Sequence, residues 1–135
     1  MTPEAGQFLA KARLTPQHAR LMLTVGLTED GGRAAYLAGY QAAQAFIFER
    51  SGKVTKTHEG AHAEFARLSA NEPRIDLELR RFLPRTYDLK AICDHELGPD
   101  AVVPFERAEA AVQAATRFVD CVADLIGQTP SPAPG

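Results

Sequence analysis

Two features are scarce in this chain: alternating, strand-like patterns and apolar runs long enough to cross a membrane. No stretch alternates apolar and polar residues for more than a few positions, and β-branched residues are sparse. The longest uncharged run, residues 34–48, is shorter than the roughly 20 residues that a spanning helix needs, and it contains two glutamines. Alanines recur instead at helical spacing, so the sequence predicts an all-α fold.

Cysteine and excess charge are scarce as well. Only Cys93 and Cys121 are present, which excludes a disulfide framework and is typical of a reducing compartment. The first residues lack a basic segment followed by an apolar one, so we expect no signal peptide and a cytoplasmic location. The net charge of -2 excludes a strongly basic nucleic-acid-binding protein, and any RNA contact must come from a local patch.

The remaining composition is that of one globular domain. Hydrophobic residues make up 45% and charged residues 24% of the 135 positions. We expect a compact helical bundle over residues 1–127. Residues 128–135 hold three prolines and are predicted to be a disordered tail.

Capping residues and helix breakers divide the bundle into five predicted helices. Thr15-Pro16 indicates either a kink or a new start inside the first helix, and Pro84 predicts a kink in the fourth. The fifth has the clearest amphipathic spacing. The predicted helices cover about residues 3–25, 30–50, 57–70, 76–95 and 104–126.

A histidine pair opens the third helix. Residues 58–62 read HEGAH and match the H-E-x-x-H pattern, in which two histidines one turn apart bind zinc. The match begins at the start of the helix, contains a glycine, and has no third ligand at a recognisable spacing. The other interpretation is a surface helix start that carries His58 and His62 as an i,i+4 pair.

A lysine interrupts the apolar face of the fourth helix. At 100° per residue Lys90 falls in the middle of that face, with Asp94 beside it one turn on. One interpretation is a lysine whose stem lies on apolar surface and whose charge pairs with Asp94. The other is a charge held in a cleft where it meets a phosphate. His95 follows Asp94 directly.

Arg85 belongs to a mildly basic run of the same helix. This run is either a solvated face or a weak RNA-facing patch.

Three segments resemble the small prokaryotic HEPN-domain family. Residues 35–45, AYLAGYQAAQA, are similar to the family's tyrosine- and alanine-rich second helix. Residues 56–60, KTHEG, resemble the segment that opens its next helix. Residues 87–95, YDLKAICDH, resemble its stretch of tyrosine, acid, leucine, arginine, four residues and a histidine or tyrosine. The resemblance covers about residues 8–126.

The resemblance implies an antiparallel helical bundle that dimerises and cleaves RNA at the dimer cleft without a metal or other cofactor. Ribonuclease members use an arginine and a histidine, and many are toxins paired with a nucleotidyltransferase antitoxin. By position, Lys90 replaces the arginine, His95 is the histidine, and Asp94 is the polar residue before it. Lysine keeps the charge of arginine but loses its bidentate grip on a phosphate.

These observations give one leading hypothesis and two alternatives. In the first, a toxin-type endoribonuclease uses His95 as general acid or base, Lys90 to stabilise the phosphate charge and Asp94 to orient them. Arg85, Tyr87 and His58 would contact the substrate. The second is a non-catalytic dimerisation or nucleotide-binding module that partners a nucleotidyltransferase. The third is a zinc hydrolase that uses the HEGAH segment.

Overall fold

Five helices form the described part of the chain. The computed structural model describes residues 1–95 and 102–127, and for His95 it describes the backbone alone. The helices are α1 (Pro3–Thr24), α2 (Thr28–Ser51), α3 (His58–Leu68), α4 (Leu77–His95) and α5 (Phe105–Gly127). Within those residues there is no strand, so the prediction of a helical bundle is confirmed. The predicted turn at residues 98–100 and the predicted tail at residues 128–135 lie outside the described residues.

A tight antiparallel hairpin joins the first two helices. Gly26 takes a φ of 84°, a left-handed conformation that favours glycine, and the Leu27 N–H closes the turn on the Met22 carbonyl at 2.8 Å. At the other end, the Thr2 N–H donates to Glu49 Oε1 at 2.9 Å, which ties the start of α1 to the end of α2. α1 continues through Pro16 as one helix, so the new start that the sequence left open does not occur.

α2 is the central element, because it packs against each of the other four helices. Its small residues allow this close approach. A Cβ added at Gly39 would lie 2.1 Å from Cε2 of Phe82 on α4, well inside van der Waals contact. Phe82 in turn stacks on Phe118 of α5, with ring centroids 4.9 Å apart. The small residues of α2 therefore set the spacing of the core.

α3 and α4 are held together through their ends. Asp76 caps α4 by accepting from the Leu79 N–H at 2.9 Å. The Arg80 guanidinium reaches back to the carbonyls of Ser69 and Glu72, at 3.0 and 2.9 Å, just past the end of α3. α4 runs through Pro84 as a single helix. Among the described residues, no helix combines the length and apolarity that a membrane crossing requires.

Candidate functional site

The two histidines of α3 are positioned by the start of that helix. Thr57 is the N-cap, and its hydroxyl accepts from the Gly60 N–H at 2.9 Å. His58 and His62 follow one turn apart, so both side chains project from the same face of α3. That face is turned toward α2, and each imidazole is half-buried.

Both imidazoles contact one hydroxyl group on α2. Tyr36 Oη lies 2.8 Å from His58 Nδ1 and 2.9 Å from His62 Nε2. The Tyr36 side chain is 2% exposed. Burial, with smaller contributions from Tyr40 and Tyr87, raises the pKa of Tyr36 far above its ordinary value of 10. The hydroxyl therefore keeps its proton at neutral pH.

Two more tyrosines close around the imidazoles. The Tyr40 ring lies 5.0 Å from the His58 ring, centroid to centroid. The Tyr87 ring of α4 lies 5.1 Å from His58, 5.4 Å from His62 and 5.2 Å from Tyr36. These are the three tyrosines of the chain. We call the five residues the tyrosine–histidine cluster: Tyr36, Tyr40, His58, His62 and Tyr87.

A buried glutamine fixes the loop that leads into α3. Gln44 is 3% exposed, and its amide group donates to Tyr40 Oη and to the Thr55 carbonyl, both at 3.0 Å. Its carbonyl oxygen accepts from the Thr55 hydroxyl at 3.1 Å. A buried amide is costly when it is unpaired, so these bonds favour one position of Thr55. Thr55 precedes the Thr57 cap by two residues, and the bonds therefore fix the loop at that point. Gln44 thus links α2 to the placement of His58.

Burial also makes His62 a weaker base than a free histidine. Desolvation lowers the pKa of His62, the nearby His58 lowers it further, and Glu59 acts in the opposite direction. Since the ordinary pKa of histidine is about 6.5, the His62 imidazole is neutral at pH 7. A neutral imidazole has one N–H and one bare nitrogen, so it is able to give or take a proton.

A group of charged side chains lies at the end of α4, and we call it the Asp94 ion cluster. Asp94 binds the Lys90 ammonium, one turn earlier, and Nε of Arg33 from α2 at 2.5 Å. Arg33 also donates to Asp30 at 2.8 Å and to the Cys93 carbonyl at 2.9 Å. The bonds from Lys90 and then Arg33 lower the pKa of Asp94. Arg33 thereby caps the last turn of α4 and fastens it to α2.

The tyrosine–histidine cluster and the Asp94 ion cluster form one continuous edge. Tyr36 follows Arg33 by three residues on α2, and Lys90 follows Tyr87 by three residues on α4. Residues three apart lie on the same side of a helix, so the two clusters adjoin along the α2–α4 seam. We call this surface the α2–α4 edge. It carries the acid–base ring nitrogens of His58 and His62 and the Lys90 ammonium, which Asp94 binds.

The structure brings together some of the residues predicted from the sequence and separates others. Lys90 pairs with Asp94, as one of the two interpretations expected, and its side chain is 31% exposed. Tyr87 and His58 meet in the tyrosine–histidine cluster. Arg85 lies away from both clusters, and its guanidinium pairs with Glu78 at 3.0 Å. The side chain of His95 lies outside the described part of the chain.

Arg85 lines a separate groove between α4 and α5, with a volume of about 570 Å³. Phe82 and Leu89 of α4 and Ala111 of α5 form part of its apolar floor, and Arg107 and Arg117 stand with Arg85 at its rim. The groove is on the opposite side of α4 from the α2–α4 edge, since Arg85 and Tyr87 are about 200° apart around the helix.

Sequence reasoning missed Arg33 and Tyr36. Both lie on α2, which is apolar nearly all round, so its one polar side is difficult to recognise. The available signal was the spacing of Arg33, Tyr36 and Tyr40, at i, i+3 and i+7, which places all three on one side of the helix.

The HEGAH segment contributes two convergent ring nitrogens, and the third protein atom at that point is the Tyr36 hydroxyl oxygen. Within residues 1–95 and 102–127, no group of three or more histidine, cysteine, aspartate or glutamate side chains is arranged to hold a metal ion.

Comparison with known proteins assigns no family to this arrangement. No protein-family model matches the chain, and a search of curated proteins gives no significant match.

Proposed function

We propose that the chain is a HEPN-like, RNA-acting protein, and that it is a metal-independent, toxin-type endoribonuclease that works at a dimer cleft along the α2–α4 edge. One observation carries this proposal: two half-buried imidazoles lie against Tyr87, and Lys90 follows Tyr87 by about one turn on α4. Phosphodiester cleavage needs proton transfer at two oxygens and a positive charge near the phosphate. This edge offers both kinds of group.

The charged groups divide between binding and positioning. Lys90 faces the phosphate, while Asp94 holds the ammonium in place and Arg33 holds Asp94. His95, the last residue of α4, is proposed to act with Lys90 on the phosphodiester. Tyr87 gives a ring on which a base of a single-stranded RNA stacks.

Cleavage of a labelled single-stranded RNA in EDTA tests the proposal. We expect the wild-type protein to cut RNA and to leave the DNA strand of the same sequence intact, because the attacking group is the 2′-hydroxyl. Lys90→Ala and His95→Ala should each lose about 100-fold or more in rate. Lys11→Ala and His18→Ala are matched controls, since both residues are exposed on α1 and should keep full activity. Equal cutting by His95→Ala and wild type would refute a catalytic role for His95, and intact RNA with the wild-type protein would refute the nuclease.

A second candidate is the non-catalytic module that dimerises and partners a nucleotidyltransferase. The Asp94 ion cluster favours it, because Asp30 and Asp94 face two cations there and a third carboxylate, that of Glu29, lies 3.7 Å from Arg33. Such a group attracts a phosphate less than a free ammonium does. This alternative predicts a dimer by light scattering, no cleavage in EDTA, and binding of labelled RNA no tighter than binding of matched DNA.

A further inference from the structure

The chain places one hydroxyl group between two imidazoles, and this arrangement restricts where their protons sit. Tyr36 Oη has a single proton, so it donates to only one of the two nitrogens that it contacts. The other nitrogen then carries its own proton and donates to the tyrosine oxygen. We call His58 Nδ1 and His62 Nε2 the inner nitrogens, and the remaining nitrogen of each ring the outer one.

We propose that Tyr36 is a proton relay that makes His58 and His62 a coupled acid–base pair for RNA cleavage. This inference rests on the proposed function and deepens it. A neutral imidazole has a proton on only one of its two nitrogens. The ring whose inner nitrogen accepts from Tyr36 therefore has its proton on the outer nitrogen. The ring whose inner nitrogen donates to Tyr36 has an unprotonated outer nitrogen. When both rings are neutral, the pair therefore presents one acid and one base, and the direction of the Tyr36 hydroxyl decides which ring is which.

The outer nitrogens are available for substrate. Among residues 1–95 and 102–127, neither His58 Nε2 nor His62 Nδ1 has a hydrogen-bond partner. Both rings are half-buried, with Tyr40 and Tyr87 packed against them. The titratable groups that face the pair are those two phenols, Tyr36 and, from α3 itself, Glu59. Two outer nitrogens that give and take protons suit a phosphodiester that has an adjacent hydroxyl.

The relay step balances without a further reactant. The bare outer nitrogen takes the proton of the ribose 2′-hydroxyl as its oxygen forms a bond to phosphorus. The inner proton of that ring passes to Tyr36 Oη, and the Tyr36 proton passes to the inner nitrogen of the other ring. The outer proton of that second ring goes to the 5′-oxygen as the bond from phosphorus to that oxygen breaks. One proton moves from nucleophile to leaving group, and the two rings exchange tautomers.

The direct test is the tautomeric state of the two rings, measured by long-range ¹H–¹⁵N correlation on imidazole-labelled protein at pH 8. The inner nitrogens are Nδ1 on His58 and Nε2 on His62, so the relay requires both rings to be protonated at Nε2 or both at Nδ1. The fraction of His58 protonated at Nε2 should therefore equal the fraction of His62 protonated at Nε2. Protonation at Nε2 of one ring and Nδ1 of the other would overturn the relay. This measurement does not depend on activity.

The pH profile of cleavage is the second test. A relay uses two neutral rings, so the wild-type rate should rise once with pH and then stay level. In Tyr36→Phe the rings act independently, one charged and one neutral, so the profile should become bell-shaped and the maximal rate should fall about 100-fold. Tyr40→Phe is the matched control, since Tyr40 Oη binds Gln44 and no imidazole, and the single-rise shape should survive.

The two proposals fail in different ways. A wild-type protein that leaves RNA intact, with the required tautomers present, contradicts the nuclease and keeps the coupled pair. A wild-type protein that cuts RNA, with a bell-shaped profile unchanged in Tyr36→Phe, contradicts the relay and keeps the nuclease. Far-UV circular dichroism checks that each variant retains the helical fold.

Discussion

The burial of a single imidazole links the site to the stability of the protein. His62 has a folded-state pKa below that of the unfolded chain, so the unfolded state binds the proton more readily. The contribution of His62 is therefore complete above about pH 6.5 and is lost as the pH falls from there through the folded-state pKa. We expect the free energy of unfolding in urea to decrease from pH 7.5 to pH 5.

The matched variants for this pH effect are His62→Gln and His18→Gln. The first removes the buried titration, so the slope of stability against pH should flatten between pH 7.5 and pH 5. At pH 7.5 it should also cost about 1 kcal/mol through the altered bond to Tyr36. His18 is exposed on α1, so its variant should keep the wild-type slope. An unchanged slope in His62→Gln would contradict the assignment.

The contact between Arg33 and Asp94 should be measurable as a pairwise coupling. Their side chains are 34% and 22% exposed, so solvent screens the charge interaction in part. A double-mutant cycle with Arg33→Met and Asp94→Asn should give a coupling of about 0.5–1 kcal/mol in urea unfolding. The exposed pair of Glu64 and Arg67 is the comparison and should couple less. A coupling of zero would show that Arg33 does not hold Asp94 in solution.

At the scale of elements, the spacing of α2 and α4 depends on one missing side chain. Gly39→Ala puts a methyl group against Phe82, which cannot retreat because it stacks on Phe118. We expect a loss of about 1–3 kcal/mol in the free energy of unfolding. Gly6→Ala on α1 is the control, because nothing lies within 4 Å of the added methyl group. It should stabilise by up to about 1 kcal/mol, and similar effects from both variants would contradict this packing.

Helix ends and contacts within one helix follow from local sequence signals, whereas contacts between helices do not. Helix ends were predicted to within about two residues, because caps such as Thr2-Pro3 and Thr57 act locally. The pairing of Lys90 with Asp94 is one of the two interpretations that the sequence offers, for the same reason, since they lie one turn apart on α4. The convergence of His58 and His62 on Tyr36 depends on how α3 docks against α2. Spacing along the chain gives no information about that docking, so the tyrosine–histidine cluster could not be derived from sequence.

At the scale of the whole molecule, one hydrophobic core draws buried residues from all five helices. Because α2 contacts every other helix, the loss of any one helix exposes part of that core. We therefore expect a single cooperative transition, with the calorimetric enthalpy equal to the van't Hoff enthalpy. A first transition that leaves α1 and α2 folded would contradict a shared core.

The placement of all three tyrosines in one cluster has a practical consequence, because the chain contains no tryptophan. Its tyrosine fluorescence, with no tryptophan to mask it, therefore comes from the candidate site alone. A ligand that stacks on Tyr87, or a proton that changes the partners of Tyr36, will alter this emission without any attached dye. The protein thus carries its own optical probe at the place where its chemistry is proposed.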